Sequence, residues 1–380
     1  MLPWLGRPGA NPSATHPAGQ EAGLAVRRAR VQVAAMIGAR EPSSIVFTAS
    51  GSESTAMAFG SAMAAAGARR RDVVISSAEH SATRKCAARA AASGEAAGID
   101  GAVVQIPVNA QGELDRDAAL AAIEAEPALV SLILLNNETG VISDLTGLGA
   151  AARERGVLLH IDAVQAPGKT PIDVAELDCD YLSLSAHKFH GPRGIGALYV
   201  RPGAPITALM LGGPQENERR AGTENVPGIV GMGVAAEASA ERAASAATNQ
   251  EIAARRDRLE TALLAACPGT VVHGGGAARR AANTSNLGFD LSGTGLDATA
   301  LLGMLHEQGL EVSAGSACNS SKMAPSPVLT AMGLDETSAS CALRFSLAAQ
   351  GMPDTASMKD VEACIKLVQE AYGALTALRA

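Results

Sequence analysis

Between residues 20 and 200, short and almost continuously apolar runs alternate with Ala-rich helical stretches. Few folds satisfy that rhythm other than a parallel sheet covered by helices on both faces. The spacing predicts strands over 44–47, 72–76, 102–106, 129–135, 157–161 and 181–184. Helices are expected over 20–39, 52–66, 81–92, 115–124 and 148–155. The strand runs do not alternate in polarity, as expected where both faces are buried. In such sheets ligands sit beyond the carboxyl ends of the strands. His80, Asn137, Asp162 and Lys188 all fall at such ends.

Beyond residue 225 the rhythm changes to two long Ala- and Glu-rich helices, 226–245 and 249–266. Strands over 284–289 and 342–346 and helices over 297–308 and 358–378 follow, which reads as a second α+β domain. The expected division is a large α/β cofactor-binding domain over 1–245 and a smaller α+β domain over 246–380. A chain of 380 residues is long enough for both. With 47% hydrophobic but only 2% aromatic residues, Ala, Leu and Val must build the cores. A net charge of −7 with scattered Lys and Arg argues against a nucleic-acid footprint. No apolar run reaches the roughly 18 residues of a membrane span, and the first residues lack the pattern of a signal peptide. Six widely spaced cysteines without a CxxC pair fit reduced thiols and a cytoplasmic protein.

Lys188 lies in Ser185-Ala186-His187-Lys188-Phe189-His190-Gly191, directly after a strand, and Asp162 lies 26 positions upstream. A lysine is ordinarily a solvated surface group, but this one follows a buried strand and is flanked by His and Gly. Pyridoxal phosphate needs an amine for its aldehyde and a carboxylate for its pyridine nitrogen, and this pair offers both. Gly51 and Ser52 open a helix after a strand, which suits a phosphate and equally suits an ordinary cap. His80 could stack on a flat ring, or be a structural histidine. Asn137 is either a turn residue or a ligand-facing amide. Cys318 lies in a Gly/Ser-rich stretch ending at Pro325, the setting of an accessible and reactive thiol. Arg344 sits on an apolar strand and needs a carboxylate partner, from the protein or from a ligand.

Taken together, these segments resemble the cysteine desulfurases of the class V aminotransferase group. The likeness is carried by Gly9 to Ser13 with His16, Phe47 to Ser54, Glu79-His80, Asn136 to Gly140, Asp162 to Gln165, Ser185 to Gly194, Arg220 to Asn225, Gly315 to Cys318 and Arg344 to Ser346. It implies a fold type I pyridoxal-phosphate enzyme in which Lys188 holds the cofactor aldehyde. Asp162 would pair the pyridinium nitrogen, Gln165 the ring oxygen, and His80 would lie over the ring. Gly51, Ser52, Ser185 and His187 would hold the phosphate, and Thr223 would complete the phosphate site of a neighbouring subunit in a homodimer. Arg344 and Asn137 would clamp the α-carboxylate of L-cysteine. Cys318 would take the sulfur as a persulfide, leaving alanine, and hand it to a sulfur-acceptor protein for iron–sulfur clusters or another sulfur-using pathway. The long Cys318 stretch is similar to the nitrogen-fixation and iron–sulfur-cluster type. The chain starts inside the family's usual opening region, so the large domain's N-terminal edge is expected to be shortened. Ser50-Gly51-Ser52 stands where Gly-(Gly/Ala)-Thr is commoner. Selenocysteine lyase or aminotransferase chemistry, or a cofactor-binding scaffold without turnover, are the competing readings. No metal site is expected.

Overall fold

The computed structural model describes residues 1–7, 10–67, 70–92, 101–314, 325–348 and 356–378. The chain forms two compact units. The first comprises Met1–Ile106, Arg116–Leu135 and Asp144–Ala244. The second comprises Pro107–Asp115, Asn136–Ser143 and Ser245–Ala380. A single cut after residue 245 assigns the two short excursions to the first domain, whereas the structure counts them with the second. The reason is backbone pairing that a linear reading does not reveal. Val141 bridges Arg280, Ala281 N donates to Gly140 O (2.8 Å), and Gly276 N donates to Gln111 Oε1 (2.9 Å).

The first unit is built on seven strands: β1 (Ile45–Thr48), β2 (Val73–Ser76), β3 (Val103–Ile106), β4 (Leu129–Ile133), β5 (Leu158–Asp162), β6 (Tyr181–Ser185) and β7 (Gly196–Val200). Their order is β1-β7-β6-β5-β4-β2-β3. From β6 to β3 every pairing is parallel. β7 runs antiparallel between β1 and β6, returning directly from β6 rather than through a helical crossover. The strands β1, β2, β4, β6 and β7 are buried throughout, which explains their unbroken apolar sequence. Val46, Met57, Phe59, Ile75, Leu129, Tyr181 and Leu198 pack into one cluster, each contributing about 1.5–3 kcal/mol by burial. The helix Pro17–Met36 starts where His16 Nδ1 accepts from Gly19 N (3.2 Å), so His16 is a cap.

The second unit has a four-stranded antiparallel sheet from β8 (Val271–His273), β9 (Thr284–Gly288), β10 (Ser313–Ala314) and β11 (Ala342–Ser346), ordered β10-β11-β9-β8. Its core is Leu259, Leu287, Leu301, Leu343, Phe345, Ile365 and Tyr372, supplied by the sheet and the helices Ala246–Ala266, Ala298–Glu307 and Met358–Thr376. No described helix is long and apolar enough to cross a membrane.

Candidate active site

β2, β4, β5 and β6 run parallel, with β4 between β2 and β5; Glu79 and His80 follow the end of β2, Asp162 ends β5, and Lys188 follows β6. Asp162, the last residue of β5, is buried, and its Oδ1 accepts from Val164 N (3.0 Å). Burial drives its pKa above the ordinary carboxylate value, against the Val164 bond and the nearby His80 and Lys188. A buried carboxylate in that condition favours a cationic partner. His80 Nδ1 accepts from Ala82 N (3.1 Å). Desolvation, Lys188 and Arg84 lower its pKa, with Asp162 opposing them, so the neutral imidazole is favoured. Glu79 is fully buried, and its Oε1 accepts from Ile133 N (2.6 Å) while Oε2 has no hydrogen-bond partner. Burial and then the Asp162 charge raise the Glu79 pKa well above the ordinary carboxylate value.

Lys188 is exposed on the 3₁₀ turn Ala186–Phe189 that follows β6. Beside it, His187 Nδ1 meets the buried Ser185 Oγ at 3.0 Å. Burial, Lys188 and Arg193 lower the His187 pKa. The helix Gly51–Ala66 begins against the same place. Gly51 is buried there, and a Cβ would stand 2.6 Å from Val164 Cγ2 and 3.3 Å from Ser185 Cβ, so only glycine lets the helix start approach. The cap is Ser50, whose Oγ accepts from Glu53 N (3.2 Å), which leaves the Ser52 side chain exposed. Gln165 Oε1 accepts from Lys169 Nζ (2.8 Å). Thr223 is exposed and lines a cavity of about 250 Å³ with Phe47, Glu216, Arg220 and Asn225.

In the second unit, Arg344 on β11 donates through Nη1 to Asn137 O (2.9 Å). Its buried Nε and the Asn137 Oδ1 have no hydrogen-bond partners among the described residues. Burial lowers the Arg344 pKa and the charge of Glu138 raises it. Gly140, at φ +76°, closes the Asn136–Gly140 turn, where a Cβ would lie 2.9 Å from that of Thr284. Cys318 lies outside the described residues.

These features agree with what the chain is similar to. The family profile of aminotransferase class-V matches residues 5–356. The chain belongs to the class-V aminotransferase family. A cysteine desulfurase of Rhodobacter capsulatus is 44% identical over 350 residues, covering 92% of this chain and 87% of its own. A solved NifS-like protein superposes with a TM-score of 0.83 at 30% identity, over 96% of this chain and 91% of that one. A structure of SspA in complex with cysteine gives 0.73 at 32% identity, over 93% of each.

Class-V aminotransferases of the cysteine desulfurase kind depend on pyridoxal phosphate, and the first unit's residues fit it. The buried Asp162 suits a protonated ring nitrogen, Lys188 offers the amine, and the close helix start with Ser185 and His187 suits a phosphate. One feature of this class-V site escaped the motif reading. His160, two positions before Asp162 on β5, is fully buried, with Nδ1 on Ser131 Oγ (2.7 Å) and Nε2 on Ser183 Oγ (2.8 Å). It ties β4, β5 and β6 together directly beneath Asp162. A histidine at even spacing from the acidic residue was the available signal.

Proposed function

We propose that this cysteine desulfurase converts L-cysteine to L-alanine with Lys188, Asp162 and Cys318 as its working groups. The observation that carries the reading is the buried Asp162 carboxylate, on which the charges of His80 and Lys188 act, at the same end of the parallel sheet. Bound there, pyridoxal phosphate supplies an electron sink that weakens bonds around the amino acid's α-carbon. Asp162 holds the proton on the ring nitrogen. Lys188 would hold the aldehyde and would move a proton at the substrate α-carbon. His80, favoured as neutral, would stack on the cofactor ring and could accept a proton. Gly51, Ser52, Ser185 and His187 take the phosphate, and Gln165 donates through its amide nitrogen to the ring oxygen. Arg344 and Asn137, from the second unit, take the substrate carboxylate.

Cys318 attacks the sulfur of the substrate. A sulfur–sulfur bond forms, the carbon–sulfur bond breaks, and its electron pair stays with carbon, which a proton completes as alanine. The other five cysteines support this assignment, because burial holds each as a thiol. Cys267 and Cys364 are pushed up to about 11, and Cys86, Cys179 and Cys341 are also raised. A cytoplasmic homodimer passing sulfur to an acceptor protein completes the proposal. The exposed Leu209, Met210 and Leu211 and the exposed Thr223 support a second copy on that side. The test is sulfide and alanine release from cysteine, with and without reductant, in wild type and Cys318→Ala. Equal release by both proteins overturns the assignment of Cys318.

A further inference from the structure

Glu138 is the acidic residue of the Asn136–Gly140 turn, and it is buried. Its contacts with Ser326 and Asn286 lie within the second unit. Its Oε2 accepts from the buried Ser326 Oγ, which also caps the helix Pro327–Ala331 by accepting from Leu329 N (3.2 Å). Its backbone O accepts from Nδ2 of the buried Asn286 (3.4 Å). Asn286 on β9 stands opposite Arg344 on β11 in the sheet register. The next residue back, Asn137, receives the Arg344 Nη1 bond through its carbonyl. Glu138 thus sits one residue from the carbonyl that Arg344 holds, its charge acts on the Arg344 guanidinium, and the Ser326 hydroxyl donates to its carboxylate.

That arrangement has a consequence for any anion Arg344 receives. A guanidinium that already feels a fixed carboxylate attracts a second carboxylate less strongly than a bare one does. The Ser326 hydrogen bond draws Glu138's negative charge toward itself and so leaves more of the positive charge available to a ligand. We propose that Glu138 is a positioning residue, held by Ser326, that sets how tightly Arg344 takes the substrate carboxylate and so limits retention of the product amino acid. This rests on the reading of Arg344 as the carboxylate clamp.

The experiment titrates holoenzyme with L-alanine and, separately, with L-alaninamide, which lacks the carboxylate. Binding is followed by calorimetry and by the cofactor's absorbance. Glu138→Gln keeps an acceptor for Ser326 but removes the charge, so it should bind alanine about three- to tenfold more tightly and alaninamide within twofold of wild type. Ser326→Ala leaves the charge but frees it from its donor, so alanine binding should weaken by a similar factor, again without effect on alaninamide. Opposite signs in these two variants are not what damage to the fold produces. Wild-type alanine affinity in Glu138→Gln, shifts of the same sign in both variants, or equal shifts for both ligands overturn the proposal. If Glu138→Gln does not fold, Ser326→Ala decides: weakened alanine binding upholds the proposal, and unchanged or tighter binding overturns it. Arg344→Gln separates the two layers. Retained preference for alanine over alaninamide in that variant refutes the clamp itself. Lost preference there, with wild-type affinities in the other two variants, refutes only the role of Glu138.

Discussion

The His160 relay makes stability depend on pH in a way that can be worked from the structure. Burial inside the sheet, where the ring nitrogens meet Ser131 and Ser183, pushes the His160 pKa from 6.5 down to about 3, because the charged ring is desolvated there. In the unfolded chain the same ring takes a proton near pH 6.5. The folded value is depressed, so the unfolded state binds more protons between the two values. Stability from this residue is then complete above pH 6.5 and is lost as pH falls toward 3. At pH 5 the gap is 6.5 − 5, or about 1.5 units, which at about 1.36 kcal/mol per unit is roughly 2 kcal/mol. The result is insensitive to the folded value provided it lies well below 5. The assay is urea unfolding by far-ultraviolet circular dichroism at pH 8 and pH 5, on wild type and His160→Asn. The amide keeps a donor and an acceptor for the two serines but does not titrate. The variant should be less stable at pH 8 yet lose about 2 kcal/mol less on going to pH 5, while His273, pushed down to about 4, contributes equally to both proteins. An identical pH dependence in the two proteins would refute the reasoning.

Further outcomes follow from the same site. Asp162→Asn should leave the cofactor-free protein at least as stable as wild type, since burial already disfavours its charge, while kcat falls about a hundredfold, or roughly 3 kcal/mol. Wild-type turnover in that variant makes Asp162 structural. Borohydride reduction of the yellow holoenzyme should fix the cofactor on the peptide containing Lys188, and fixation on another lysine removes the basis of the site. Gly51→Ala drives a methyl to 2.6 Å from Val164 Cγ2, so the cofactor-free protein should lose about 1–3 kcal/mol and cofactor affinity should fall about tenfold besides. Unchanged affinity would separate the helix start from the phosphate. After incubation with cysteine, mass spectrometry should find an added sulfur on the Cys318 peptide, and Cys318→Ser should still perturb the cofactor spectrum on adding cysteine.

The α/β architecture was legible because strands buried on both faces leave continuous apolar runs, and the runs read as ending at Ser76, Ile161 and Leu184 put His80, Asp162 and Lys188 just beyond them. Antiparallel β7 was not singled out, since nothing in an apolar run such as 196–200 records its direction. Ser50 rather than Ser52 caps the helix because the backbone turns one residue earlier than the Gly-Ser pattern suggests. The partners of Asn137 were invisible for a different reason. Arg344 bonds the Asn137 carbonyl from 207 positions later, and the turn neighbours Glu138 and Gly140 are bonded by Asn286 and Ala281, pairings that no local periodicity reports.

The same long-range pairing bears on how the polypeptide is made. Synthesis runs from the amino end, and the first unit's last residue, Ala244, emerges before most of the second unit exists. Until then the 107–115 and 136–143 excursions have none of their later partners, so they wait as open loops on a nascent sheet. Asn137 and Glu138 therefore acquire their positions only after β9, Ser326 and β11 have been translated. A ribosome stalled past residue 244 should display a protected seven-stranded sheet with two protease-sensitive loops, which close only when the carboxyl-terminal third arrives.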